Sequence, residues 1–294
     1  MAANLKEVRG RITSVKSTMQ ITKAMKMVSA SKLRRATDKI VQIRPYANQL
    51  SEMLSNIVGS LQGELNLRLA ENRELKKILI VVISSDKGLC GGFNLNVVKQ
   101  TKSLLEGKYA EQNKQKAVDL MFIGKKGFDG LKNYENSKLT TYLGLFGKLS
   151  FEKSAFASEE LINLFNEGMY DRIDVVYNSF KNAATQVTTV EQYLPIQTHT
   201  EEKGKASSDY IFEPSQGEIL ESLMPKILKT QFFRFLLDSN ASEHGARMTA
   251  MDKASDNANE LLKELSIMYN RARQAAITTE LSEIVSGAAA LSAE

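Results

Sequence analysis

The 294-residue sequence has only one cysteine, two histidines and four prolines. A single cysteine excludes an internal disulfide and favours a reducing compartment. Cys90 would need a neighbouring base to act as a nucleophile, and the sequence gives neither His199 nor His244 a reason to approach it. No group of acids has the spacing of a calcium loop. The sequence therefore predicts no catalytic residues, no cofactor and no metal site.

Long apolar runs are also absent. No segment approaches the roughly 18 apolar residues that mark a membrane span, and residues 1–50 contain no apolar block of signal-peptide length. Membrane contact is therefore expected only through partners. A chain that starts at Met1 without a presequence also fits a bacterial protein better than an organellar precursor.

The longest regular pattern is helical and covers residues 226–294, without proline and with only two glycines. Its small and apolar residues recur at steps of four and three, as in a coiled-coil seam. The predicted seam consists of Leu261, Leu265, Met268, Ala272, Ala275 and Thr279. At 1.5 Å per residue this helix would extend roughly 100 Å, too far for a core of the same chain to cover.

The other end of the chain carries a second seam, which loses strict register after Met19. Its members are Leu5, Val8, Ile12, Val15 and Met19, followed by Thr22, Met25 and Val28. Pro45 predicts an end or a kink, beyond which residues 46–61 can continue the helix. The two seams predict one antiparallel coiled coil whose C-terminal helix overhangs by roughly 40 Å. The apolar overhang, residues 281–291, fits reception by another protein better than a frayed terminus.

The middle of the chain changes to a β-strand pattern. Strands are predicted at 77–84, 117–123, 173–180 and 186–194, the last two as a hairpin, and helices at 93–105, 126–133 and 151–168. The alternation predicts a Rossmann-like α/β domain with a mainly parallel sheet. The predicted fold class is thus α/β plus a long antiparallel α-helical coiled coil. Its predicted segments are an N-terminal helix at 1–60, a central domain at 75–200 and a C-terminal helix at 209–294.

Two local features leave alternatives open. The glycine loop at 84–94 follows the first predicted strand, where α/β proteins bind phosphate, but its glycines match neither the Walker nor the dinucleotide spacing. Residues 1–50 hold eleven Lys or Arg against two acids, hence +9, whereas the whole chain is +5. The basic stretch fits an acidic protein partner, nucleic acid or a solvated face. Between Met1 and Pro45 there is no aromatic residue for base stacking, which favours the protein partner.

Three segments resemble the gamma subunits of F-type ATP synthases. The C-terminal segment 272–290, ARQAAITTELSEIVSGAAA, is similar to the signature Ile/Val-Thr-x-Glu-x-x-Asp/Glu-x-x-x-Gly-Ala of that family. ITKAMKMVSASK at 21–32 resembles its first-helix motif, and SSDKGLCGGFN at 84–94 resembles its central loop. The three motifs stand in the family's order and span essentially the whole chain.

The resemblance implies a rotor subunit without catalytic residues of its own. The two end helices would form a shaft inside the ring of three alpha and three beta subunits. The α/β domain would be a foot on the membrane c ring beside the epsilon subunit. The shaft would couple proton flow to ATP synthesis or hydrolysis on the beta subunits, at the cytoplasmic face of the bacterial inner membrane. The alternatives are a basic coiled-coil adaptor for nucleic acid or scaffolds, and an α/β enzyme with a phosphate site in the glycine loop.

The resemblance also implies contact residues, carried over position by position. Those toward the alpha/beta ring are Lys23, Met25, Lys26, Arg247, Gln274, Thr278, Glu280, Glu283, Ile284 and Val285. Those toward the c ring and epsilon are Tyr210, Phe212 and Glu213. Lys26 stands where some relatives carry an acid, and its positive charge is expected to strengthen contact with an acidic loop of a beta subunit.

Overall fold

A computed structural model of the chain describes residues 5–60, 69, 71, 73–134, 138–196 and 216–291. The helices are α1 (Leu5–Ser60), α2 (Phe93–Glu106), α3 (Ala110–Lys114), α4 (Lys125–Leu131), α5 (Phe151–Asn166) and α6 (Gln216–Leu291). The strands are β1 (Ile78–Ile83), β2 (Val118–Ile123), β3 (Lys138–Tyr142), β4 (Arg172–Phe180) and β5 (Gln186–Leu194). Within these ranges, none of the helices combines the length and apolarity that a bilayer crossing requires.

The five strands form one mixed sheet in the order β3-β2-β1-β4-β5. β1 pairs in parallel with β2 and β4, β2 pairs in parallel with β3, and β4 and β5 form an antiparallel pair. The predicted parallel core and hairpin are thus confirmed. Every residue of β1 is buried, which explains why its sequence is continuously apolar. β3 was not predicted, because the sequence KLTTY of this edge strand has no apolar run.

The chain divides into two compact units, which are described separately. The sheet unit is Ser29–Arg247, and the helix unit combines Met1–Val28 with Met248–Glu294. Both long helices contribute residues to both units. α1 continues through Pro45 instead of ending there.

The sheet unit has three layers. α2 and α4 cover one face of the sheet, where Val97 and Leu131 join the core around Ile80 and Phe122. α5 and α6 cover the other face, where Phe165 and Phe235 belong to the core around Val81. This sandwich, with its parallel central strands, has the predicted Rossmann-like architecture.

The helix unit is an antiparallel two-helix coiled coil. The hydroxyl groups of Thr22 and Ser255 are 2.7 Å apart, and Lys26 Nζ lies 2.5 Å from Asp252 Oδ1. Thr22 faces Ser255 and Lys26 faces Asp252, so the numbers of two facing residues add up to 277 or 278. Because both helices rise equally per residue, Leu5 lies opposite residue 272. The last 19 residues of α6, 273–291, extend about 28 Å beyond the described start of α1. The predicted overhang was about 40 Å.

Burial corrects both predicted seams. From Met251 onward the buried positions of α6 are Met251, Ser255, Ala258 and Leu265, and the half-buried residues Leu262, Tyr269, Ala272 and Ala276 continue the same seam. Leu261 and Met268, predicted in the seam, are 43% and 46% exposed. In α1 the register does not break after Met19. It continues through Thr22 and Lys26, whereas Val28 points outward. The spacing of apolar residues does not identify the seam of α1 at Thr22 and Lys26, because these two seam residues are polar.

Candidate functional site

The glycine loop at 84–94 is held by its own hydrogen bonds at the carboxyl edge of the sheet. The Ser84 hydroxyl accepts from the Gly127 backbone N–H at 2.7 Å, and Asn94 Oδ1 accepts from the Ser85 N–H at 3.0 Å. Cys90 is buried against Phe93, and burial raises the pKa of its thiol. A buried thiol with a raised pKa is a poor nucleophile. The loop therefore behaves as a packed turn.

Helix α6 contacts the glycine loop at this edge of the sheet and carries a buried ion pair there. Arg247 Nη2 lies 2.7 Å from Glu243 Oε1 and donates to the carbonyl oxygens of Lys87 and Gly88, both at 3.2 Å. A phosphate at the loop would need donors pointing toward it, but here the loop's carbonyls face a guanidinium of the same chain. The geometry does not favour the phosphate-site alternative.

Burial shapes the titration of the neighbouring groups. Desolvation raises the pKa of Glu243, although the Arg247 guanidinium acts in the opposite direction. Burial, with Arg247 and Lys32 nearby, lowers the pKa of His244 to about 4. His244 is therefore neutral near pH 7. Among the described residues, no cluster of His, Cys, Asp or Glu has the arrangement of a metal site.

The two flanks of the coiled coil differ in chemistry. In an antiparallel coiled coil, the e positions of both helices lie along one flank and the g positions of both lie along the other. An e residue directly follows a d residue of the seam, and a g residue directly precedes an a residue. The flank here named the basic flank carries Arg9, Lys16, Lys23, Asp252, Asn259 and Ser266. The apolar flank carries Arg11, Thr18, Met25, Ala254, Leu261, Met268 and Ala275. Three of the four cations at these positions therefore lie on the basic flank, and the fourth, Arg11, pairs with Glu7 at 2.7 Å beside the mainly apolar flank.

Exposed apolar residues are concentrated on the helix unit. Ile21, Met27 and Val28 are exposed on α1. On the overhanging end of α6, Leu281, Ile284 and Val285 are 58%, 66% and 65% exposed. Soluble proteins rarely leave contiguous apolar surface open unless it meets a partner. This surface is the strongest candidate for a functional site in the described part of the chain.

Seven of the ten predicted ring-contact residues are exposed on the helix unit. Lys23, Gln274, Thr278, Glu280, Glu283, Ile284 and Val285 are all exposed. Met25 is half-buried on the apolar flank, and Lys26 is half-buried because it reaches Asp252. Arg247 belongs to the sheet unit and is 8% exposed. Tyr210, Phe212 and Glu213 lie outside the described residues.

Comparison with known proteins decides the family. A family model described as ATP synthase matches residues 4–291. The ATP synthase gamma chain of Cytophaga hutchinsonii is 55% identical over 291 residues, which cover 98% of this chain and 99% of the relative. The chain belongs to the gamma-chain family of ATP synthases. The gamma chain of Flavobacterium johnsoniae is 51% identical over 289 residues and is covered to 99%. The chain is therefore a subunit of an ATP synthase complex and is distinct from the beta subunit.

Solved structures agree with the assignment of fold. A chain of the mitochondrial ATP synthase of Tetrahymena thermophila, described as central stalk and c ring, matches with a TM-score of 0.60 at 26% identity, covering 80% of this chain and 99% of that one. A chain of the Euglena gracilis enzyme reaches a TM-score of 0.71 at 21% identity over 98% of this chain and 94% of that one, which supports the fold alone. The gamma-chain family thus combines a mixed sheet with long terminal helices, as predicted.

The sequence did not single out three polar residues that each make a specific contact in the structure. Asp252 and Ser255 bridge the two helices, and Glu243 pairs with the buried Arg247. The position of Ser255 in the seam and of Asp252 directly after the seam residue Met251 was available as a signal. It could be used only once the pairing register with α1 was known.

Proposed function

We propose that this chain is the central-stalk rotor of an F-type ATP synthase, turning inside the alpha/beta ring to couple proton flow to ATP synthesis or hydrolysis. The observation that carries the proposal is the overhanging end of α6. It leaves Leu281, Ile284 and Val285 open to solvent, where an apolar sleeve can receive them. Family membership favours the rotor over the nucleic-acid adaptor and the α/β enzyme.

The proposal assigns a role to each segment. Residues 1–60 and 209–294 act as the shaft, and residues 75–200 act as the foot. The shaft contacts three alpha and three beta subunits, while the foot contacts epsilon and the membrane c ring. Basic side chains such as Lys23 suit an acidic loop on the ring, because exposed cations steer and align acidic partners.

In this proposal the chain has no catalytic residues and meets the membrane only through the c ring. It works at the cytoplasmic face of the bacterial inner membrane. Its contribution to catalysis is mechanical. Because the two flanks differ, rotation presents each beta subunit in turn with a basic surface and then with an apolar one.

Assembly with the ring tests the proposal. The full chain is co-expressed with alpha and beta subunits of the same source, and the purified complex is analysed by mass and ATPase activity. The expected result is one copy of this chain per three alpha and three beta subunits. Ile284→Asp should leave the melting temperature of the isolated chain within about 2 °C, because the side chain is 66% exposed, but should reduce assembly or sustained turnover. A chain that stays monomeric beside those subunits would refute the rotor.

A further inference from the structure

We propose that Asp252 is a positioning residue that masks the charge of Lys26, so that Lys23 is the dominant cation of this layer of the shaft. The proposal rests on the proposed rotor function. It assigns a role to a residue that neither motif nor resemblance singled out. It also changes the expectation for Lys26, whose positive charge was predicted to be offered to an acidic partner.

The geometry places the three charges together. Lys26 occupies a seam position of α1, and its Nζ reaches across to Asp252 Oδ1 at 2.5 Å. Asp252 directly follows the seam residue Met251, which puts it on the basic flank with Lys23. The side chains of Lys26 and Asp252 are 42% and 46% exposed, so a partner that reaches this flank meets the pair as well as Lys23.

A polar contact one turn away fixes the pair. The Thr22 and Ser255 hydroxyl groups are in hydrogen-bond contact in the buried seam, and the Ser255 hydroxyl also lies 2.8 Å from the Met251 carbonyl oxygen. Buried polar contacts of this kind specify how two helices align. Asp252 is thereby held opposite Lys26.

The charge balance explains why masking matters. Residues 5–28 carry six Lys or Arg and one acid, Glu7. Removing the carboxylate of Asp252 would release a second cation beside Lys23. An additional half-exposed charge changes an interaction by about two- to fivefold. A shaft that holds an acidic loop more tightly releases it more slowly, so the inference predicts a slower rotor when Asp252 is neutralised.

The first measurement tests the Lys26–Asp252 ion pair in the isolated chain, without alpha and beta subunits. Acylation of Lys26 in the full-length chain is followed by peptide mass spectrometry, because an ammonium group in contact with a carboxylate is shielded from the reagent. Asp252→Asn should accelerate acylation about two- to fivefold. Asp256→Asn is the matched control, with the same change one turn along α6, and should have no effect. Equal rates in Asp252→Asn and the unmodified chain would overturn the inference.

The second measurement tests masking in the assembled complex with alpha and beta. At low ionic strength, Asp252→Asn should lower ATPase turnover about two- to fivefold, and 1 M salt should remove the difference because the screening length falls to about 3 Å. Lys26→Gln/Asp252→Asn should restore turnover, since no cation is released. If the double variant stays slow, the pair acts only through structure and masking is wrong. If acylation rises while turnover is unchanged, this flank meets no acidic partner, which also refutes that part of the proposed function.

Discussion

Replacing Arg247 with methionine should destabilise the sheet unit strongly. Arg247 is 8% exposed, pairs with Glu243, and donates to two carbonyl oxygens of the glycine loop. Methionine retains much of the packing volume but removes the charge and every donor. The substitution leaves Glu243, itself 6% exposed, as a buried carboxylate without its arginine.

The expected loss is about 3 to 5 kcal/mol, the usual cost of removing one partner of a buried ion pair. It can be measured as the change in free energy of unfolding in urea. Far-UV circular dichroism is the suitable probe, because the chain has no tryptophan. Arg271→Met changes an exposed arginine of the same helix and should cost no more than about 0.5 kcal/mol.

The loss should also depend on pH. Burial already raises the pKa of Glu243, and Arg247 counteracts that rise. Without Arg247 the folded-state pKa rises further above the unfolded value, so the folded state binds a proton more readily than the unfolded state. Stability then falls as pH rises through the interval between the two pKa values. The deficit of Arg247→Met should therefore be smaller at pH 5 than at pH 8.

The double variant Glu243→Gln/Arg247→Met separates the ion pair from simple packing. Removing both charges should recover part of the loss and abolish its pH dependence. A deficit below about 1 kcal/mol, or one that is equal at pH 5 and pH 8, would refute the reasoning.

Two further substitutions test other parts of the chain. Gly124 has φ of +94°, and a Cβ there would lie 2.1 Å from the Ser84 carbonyl oxygen, so Gly124→Ala should cost more than about 3 kcal/mol in urea unfolding. Gly144 has φ of +78° in open space, and Gly144→Ala should cost only about 1 to 2 kcal/mol; equal costs would contradict the steric argument. Met25→Lys adds a cation on the apolar flank and should weaken coupling of ATP hydrolysis to proton pumping. Unchanged pumping per ATP in vesicles would count against it.

The sheet was predictable because burial on both faces leaves a continuous apolar run. β1 and β2 could be read in this way, and β4 and β5 stood out as a hairpin. β3 lies at an edge and carries threonine and lysine, so its sequence contains no comparable signal. β3 is stabilised by its pairing with β2, and this contact between distant parts of the sequence cannot be recognised from residues 138–142 alone.

The coiled coil was predictable in kind but not in register. α6 carries two apolar stripes side by side, and the stripe through Leu261 and Met268 is as apolar as the true seam through Leu262 and Tyr269. Only the partner decides which stripe is buried. On α1 the seam continues through Thr22 and Lys26, where hydrophobic periodicity fails because Ser255 and Asp252 satisfy the polar groups.

The difference between the two flanks has a consequence for symmetry. In an antiparallel pair of equivalent helices, the two-fold axis runs across the pair from one flank to the other, so symmetry does not make the two flanks alike. Here the two flanks also differ in chemistry, because Arg9, Lys16 and Lys23 lie along one groove between the helices and Leu261 and Met268 lie along the other. Chemically identical subunits arranged around such a pair cannot all occupy equivalent environments at one instant. The side chains beside the seam therefore make the environments of identical neighbouring subunits different, even when the helices are straight.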